Sequence, residues 1–237
     1  MTDPAPLHER IAREGFAFEP AARMREHLGA GTLSDWEAFA ASWASMPLDQ
    51  HLPEGHRYRR RRHATLSAAP GALVAIREAH APHHQALEYN ALAGGIDRWF
   101  EPIAPAILEG PTFQRVLAFC LRTFGALSPA VSWHLECHQF RIEARAGAQG
   151  LPTPEGVHRD GVDWVLVMLV ARENIASGTT TVHATDGTLL GSFTLAAPLD
   201  AALVDDHRVQ HGVTAVEPLD PARPACRDVL VVTLRRK

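Results

Sequence analysis

From residue 126 onward the apolar positions come in short runs, broken by glycine, proline and Asp-Gly pairs. Val131–Ala144 alternates loosely, as a long half-buried strand does. Trp164–Ala171 is apolar almost throughout, which suits a strand covered on both faces. Thr179–His183, Leu189–Leu195, Ala201–Val204 and Asp228–Arg235 read as further strands. Short strands at roughly ten-residue spacing point to a β-sandwich or barrel.

The earlier half carries a helical period instead. Residues 6–28 read as one or two helices, with Leu7, Ile11, Phe16 and Phe18 on an imperfect stripe broken by Gly15 and Pro20. Ser34 is placed to cap a helix running to Met46, with Glu37 completing a capping box and Trp36, Phe39, Ala40 and Trp43 on one face. Residues 85–100 read as a loop or short helix with a Gly94-Gly95 turn, and 97–125 as mostly helical, divided at Gly110-Pro111. The expected architecture is mainly β with a helical N-terminal half. It forms a single domain over 1–237, with 1–125 a mostly helical support region and 126–237 the β core.

Composition narrows the class. A chain of 237 residues, 46% hydrophobic, can bury a sizeable core. A net charge of −4 gives no support to nucleic acid or an anionic membrane as partner. No apolar run reaches about 18 residues, so no membrane span is expected, and the N-terminus has no secretory pattern. Cys120, Cys137 and Cys226 are too few and too scattered for a disulfide framework or thiolate site, and a reducing cytoplasm is the simplest setting. The basic stretch from His56 to Leu66 reads as a strand with solvated arginines, or with one or two turned to an anionic ligand such as a substrate carboxylate. Solvation is the expectation for any one of them.

The candidate chemistry sits in Pro154–Asp163, Pro-Glu-Gly-Val-His-Arg-Asp-Gly-Val-Asp. His158 and Asp160 stand two apart, on one face of an extended segment. A later His211, after the run Ala201–Val204, would complete a 2-His-1-carboxylate metal triad with open positions, the pattern of non-haem Fe(II) oxygenases. His-x-Asp alone is weak. The flanking glycines, the apolar strand behind it and a later arginine strengthen it. That arginine, Arg227, could pair bidentately with the far carboxylate of a dicarboxylate cosubstrate such as 2-oxoglutarate. Three other readings compete. A non-oxygenase metal-binding cupin would favour a His-x-His pair, a zinc hydrolase a His-Glu-x-x-His, and an interaction module would leave the cluster unexplained. His83, His84, His183 and His207 are discounted, and Asp205 and Asp206 are read as shaping the turn before His211.

Several stretches carry a resemblance. They are Tyr58-Arg-Arg-Arg-Arg, Glu88-Tyr89-Asn90 with Gly94-Gly95-Ile96-Asp97-Arg98, His138-Gln139-Phe140-Arg141, the His158 block, Asp205 to Thr214, and Arg227-Asp-Val-Leu. Spanning about three quarters of the chain, they resemble the bacterial amino-acid hydroxylases among the 2-oxoglutarate/Fe(II)-dependent dioxygenases, the group of L-isoleucine 4-hydroxylase. The resemblance implies a double-stranded β-helix, the jelly roll of cupins. It also implies Fe(II), 2-oxoglutarate and O2, with hydroxylation of a free L-amino acid and release of succinate and CO2. It carries iron ligation to His158, Asp160 and His211 and cosubstrate binding to Arg227. Asp160 implies oxygen insertion, since halogenating relatives lack that carboxylate. Where many relatives have Arg-x-Ser this chain has Val229, which leaves a second anchor for the cosubstrate unnamed. Arg141, His138, Gln139, Tyr89 and Asn90 are the candidates for the amino acid's head group, although neighbours 138 and 139 cannot both face a pocket. The loop 147–156 is either a lid or an inert surface loop. A homodimer is left open.

Overall fold

The computed structural model describes residues 5–29, 31, 33–52, 58–90 and 92–237. His56 and Arg57 of the basic stretch lie outside them. The chain opens with α1 (Leu7–Glu14), β1 (Phe16–Glu19), α2 (Ala21–Leu28) and α3 (Trp36–Ala41), the last running into a 3-10 turn at Ser42–Ser45. There follow β2 (Arg59–Ala68), β3 (Ile76–Arg77), β4 (His83–His84), β5 (Asp97–Arg98), α4 (Pro105–Leu108) and α5 (Pro111–Leu127). The C-terminal half supplies β6 (Trp133–Ala144), β7 (Trp164–Glu173), β8 (Ile175–Ser177), β9 (Thr179–Ala184) and β10 (Leu189–Thr194). It ends with β11 (Ala201–Asp205), β12 (Val209–Val213), β13 (Val216–Pro218) and β14 (Ala225–Arg236).

Seven strands form the major sheet in the order β1-β11-β7-β14-β6-β2-β3, and β10-β9-β12 form a smaller one. The two face each other across Val165 and Val204 on one side and Val182 and Val209 on the other, with Phe16 and Phe193 packed alongside. This is a jelly roll. The helices cover the outer face of the major sheet. Ile11, Met24, Phe39, Trp43, Phe113 and Phe119 pack there with Leu135, Cys137, Leu166, Met168, Leu230 and Val232. Strand alternation therefore divides β14 cleanly. Leu230, Val232 and Leu234 face the helices, while Arg227, Val229, Val231 and Thr233 face the interior between the sheets. Both faces are covered, which is why the central strands read as apolar runs.

Three expectations need correction. Residues 6–28 are not helix throughout. Gly15, at φ 82°, ends α1, and Phe16–Glu19 then pairs with β11 before Pro20 admits α2. The stretch before residue 126 is not only a support either, since it lends β1, β2 and β3 to the major sheet. The Ser34 capping box does not form. Asp35 occupies the N-cap of α3, and its carboxylate accepts the backbone N–H (2.8 Å) and the hydroxyl (2.5 Å) of Thr112 at the start of α5. The three cysteines are free and buried, as a chain without a disulfide framework requires.

Candidate active site

A cavity of about 280 Å³ opens between the sheets, and His158, Asp160, His211 and Arg227 all line it. His158 and His211 face each other as one antiparallel rung, each N–H donating to the other's carbonyl at 2.9 Å. Position 158 thus adds a further rung beside β12 in the smaller sheet. Asp160 Oδ1 lies 3.5 Å from His158 Nε2, and Oδ2 lies 3.6 Å from His211 Nε2. One ligand atom from each residue falls within 4.8 Å of the others. His158 Nδ1 donates to the Gly156 carbonyl at 3.0 Å, which turns Nε2 toward the gap, where a cation would displace its proton.

The turn that presents Asp160 is held by a carboxylate. Asp206 accepts the backbone N–H groups of Asp160 (2.9 Å), Gly161 (2.7 Å) and Val162 (3.1 Å). It therefore shapes the turn at 160–162 rather than the one before His211, where Asp205 accepts the His207 N–H. Burial and the nearby Asp160 charge push Asp206 up to about 6. Gly161 adopts φ +80°, and a Cβ there would sit 2.5 Å from Cδ2 of Tyr89. No residue but glycine suits this position.

Charge on the triad follows its burial. Burial opposes the imidazolium of His158, but the Asp160 carboxylate outweighs it and lifts His158 to about 9. Burial takes His211 down to about 4. Burial also works against the Asp160 charge, yet the two imidazoles hold its carboxyl well below the usual range. A divalent cation in the gap would replace the shared proton. Two imidazoles and one carboxylate with further positions open suit Fe(II), so the donor set fits. Arg227, 2% exposed, stands on the same cavity wall, with Nε and Nη2 buried and unpartnered among the described residues. A buried guanidinium without an anion calls for one. Val229 beside it offers only methyl groups.

The remaining sequence candidates separate. His138, Tyr89 and Asn90 line the cavity. Asn90 spends its side chain locally, its Oδ1 accepting N–H groups of Leu92 and Ala93 and its Nδ2 donating to Gln85. Gln139 and Arg141 do not line the cavity, because β6 turns its even positions inward. Gln139 donates to Ser42 at 2.8 Å, and Arg141 forks onto Asp228 at 2.8 and 2.6 Å. The loop 147–156 is part of the wall through Pro152, Thr153 and Glu155.

The arginines of β2 overturn the expectation of solvation. Arg59 and Arg61 are buried and line the cavity, whereas Arg60 and Arg62 turn outward to Glu143 and Glu101. His83, discounted on spacing, touches Glu136 across the cavity wall; Arg98 stands in one of the matching stretches but without a role, and Glu136 is not among the sequence candidates. Their convergence depends on strand pairing, which no local pattern records. The alternation of β6 was the one available signal for Glu136, since it places that residue on the same face as His138.

Residues 40–233 match the profile of the 2OG-Fe dioxygenase family. The chain belongs to that family. As such it is a 2-oxoglutarate-dependent dioxygenase using Fe(II), 2-oxoglutarate and O2, and the non-oxygenase cupin, the zinc hydrolase and the interaction module all fall away. The chain is 25% identical to a 3(1)-hydroxy-L-isoleucine 4-dioxygenase of Pantoea ananatis (strain AJ13355), over 95% of this chain and 94% of that one. Its fold matches the crystal structure of a bsmA homolog from Methylobium petroleophilum PM1. The TM-score is 0.87 and the identity 36%, with 99% of this chain and 95% of that one covered. A second match in fold is the crystal structure of IDO from Bacillus thuringiensis. Its TM-score is 0.78 and its identity 17%, covering 97% of each chain. No helix among the described residues is long and apolar enough to cross a membrane.

Proposed function

We propose that this dioxygenase hydroxylates a free L-amino acid or a close analogue, releasing succinate and CO2. In this reading His158, Asp160 and His211 hold the iron, and Arg227 holds the distal carboxylate of 2-oxoglutarate. The observation that carries it is one cavity containing both the closed triad and a buried guanidinium whose Nε and Nη2 find no partner among the described residues. Bound iron and 2-oxoglutarate supply the oxidising power for a C–H bond. The protein's own residues position. The Gly156 carbonyl fixes the His158 tautomer, Asp206 fixes the Asp160 turn, and Arg227 sets where the cosubstrate's far end stops. The amino-acid substrate is supported by the name of the Pantoea relative, over nearly the whole length of both chains, and by charges of both signs on the opposite wall.

The test is a panel of L-amino acids incubated with Fe(II), 2-oxoglutarate and air. Substrate-dependent succinate release, together with product heavier by one oxygen atom, is the expected result. Succinate release that no amino acid stimulates would remove the substrate assignment.

A further inference from the structure

The wall opposite the triad carries charge that iron and 2-oxoglutarate leave unused. Strands β2 and β6 pair with Arg61 opposite Phe140, His63 opposite His138 and Thr65 opposite Glu136, which brings the Arg61 and Glu136 side chains to one face. Glu136 sits in a ring of imidazoles. Its Oε2 meets His63 Nε2 at 3.0 Å, His83 Nδ1 in a close contact and His138 Nε2 at 3.6 Å, and its Oε1 lies 3.6 Å from His134 Nε2. Four of these residues (His63, His83, Glu136 and His138) come within ligand range of one another. Arg61 argues against a second metal there. Its Nη2 donates to His138 Nδ1 at 3.0 Å, which fixes the proton on Nε2 and sets a permanent cation beside the cluster. The imidazoles are thus donors, and Glu136 is an anion held by them.

Two guanidiniums accompany it. Arg98 is 1% exposed and Arg61 4%, and each has an Nε without a partner among the described residues. Arg59 is accounted for, since Asp49 takes its Nε at 2.8 Å and its Nη2 at 2.7 Å. Arg61 is clamped between the rings of Phe100 (4.0 Å) and Phe140 (4.6 Å), and so cannot swing away. Arg98 pairs in register with His83 across β4 and β5, which puts it next to the residue that touches Glu136. Its Nη2 donates to Gln85 Oε1 at 3.2 Å, and Gln85 Nε2 donates to the Asp160 carbonyl at 3.2 Å. One glutamine therefore links Arg98 to the backbone of the turn that carries Asp160. The cavity's other carboxylates belong to the triad side, Asp160 within it and Glu155 3.4 Å from His158 Nε2.

A half-buried acceptor and a buried donor fork, each held in place on one cavity wall, match the two halves of a zwitterion. We propose that Glu136 takes the α-ammonium of the substrate and Arg98, with Arg61 beside it, takes its α-carboxylate. The amino acid's side chain is then left to reach toward His158, Asp160 and His211. This rests on the amino-acid reading above and names the residues that enforce it. Gln85 is a positioning residue that sets the distance from clamp to triad, and hence which carbon is presented.

The probes are the protein L-amino acids and, for the one turned over best, its des-amino acid and its decarboxylated amine. The wild-type enzyme should favour the amino acid over either truncated probe by about 100-fold or more in kcat/KM, since each truncation strands a buried charge. Glu136→Gln should erase the preference over the des-amino acid, and Arg98→Gln the preference over the amine. Anaerobic calorimetry on the Fe(II) and 2-oxoglutarate-loaded protein should show the same pattern in Kd. Truncated probes that serve the wild-type enzyme as well as the amino acid would overturn the clamp without any variant needing to fold. Variants that weaken all three probes equally would do the same. If no amino acid is turned over at all, the substrate reading itself fails and the clamp goes with it.

Discussion

At the scale of single residues, the site works by holding charges where water cannot relieve them. Arg227 is the plainest case. Truncating one partner of a buried charge pair typically costs about 2–5 kcal/mol, so Arg227→Ala should raise the 2-oxoglutarate requirement by about 100-fold or more. Steady-state kinetics against 2-oxoglutarate measure this, and an unchanged KM would move the anchor to another cation. His158→Ala and Asp160→Ala should abolish both iron retention, read by metal analysis, and succinate formation. Full activity in either would remove that residue from the ligand set. Asp206→Ala makes a separate prediction, because it frees three backbone N–H groups rather than a ligand. Iron affinity against a competing chelator should fall about 10- to 100-fold, as is usual when a ligand's support is lost.

At the scale of elements, what could be read in the sequence was what is local. His158 and Asp160 fall two apart in one segment, and the Val/Leu run behind them could only be a covered strand. His211 was placed after a strand but sits inside β12, because a five-residue strand flanked by Asp-Asp-His-Arg and Thr-Ala has little pattern to find. Glu136, His83, Arg61 and Arg98 meet only because β2 lies on β6 while β4 pairs with β5. Their spacings along the chain say nothing of that. Conversely, β6 made Gln139 and Arg141 look as eligible as His138 until strand parity excluded them. One element-level prediction concerns the turn at Gly161. Gly161→Ala meets the Tyr89 ring and a left-handed backbone at once, so it should cost about 1–3 kcal/mol of stability and disturb the presentation of Asp160. A wild-type denaturation midpoint together with wild-type activity would contradict this.

At the scale of the whole molecule, the charged cavity ties folding to pH. Burial pushes His63 and His138 below the ordinary histidine value and takes His83 to about 4. The unfolded chain therefore takes up these protons first as pH falls, and stability present above about pH 6.5 is lost progressively toward pH 4. Asp49 adds a lower step. Burial alone would raise it, but Arg59 and Arg61 prevail and depress it, so its contribution is present above about pH 4 and lost below. Guanidinium midpoints of metal-free protein at a series of pH values should show the slope, and His138→Gln should flatten it. A midpoint constant from pH 7 to 5 would refute the account. A β-sandwich or barrel was foreseeable from six short runs and their turns, and the family resemblance narrowed it to a jelly roll. The entry of β1 into its main sheet was not, since a four-residue strand between a glycine and a proline lacks a strand's usual signature, and although β2 reads as a strand, nothing in its arginines says which sheet it joins.

The reciprocal hydrogen bonds between His158 and His211 make the two imidazoles rungs of the same ladder, joined whether or not a cation lies between them. The apoenzyme should therefore keep this part of its jaw closed, and loading it should act chiefly on how often that rung opens. The two amide protons become a gauge built into the backbone. Their deuterium uptake should slow on adding Mn(II) or Zn(II), without any chemistry being run, while amides in the distant α5 helix keep their pace.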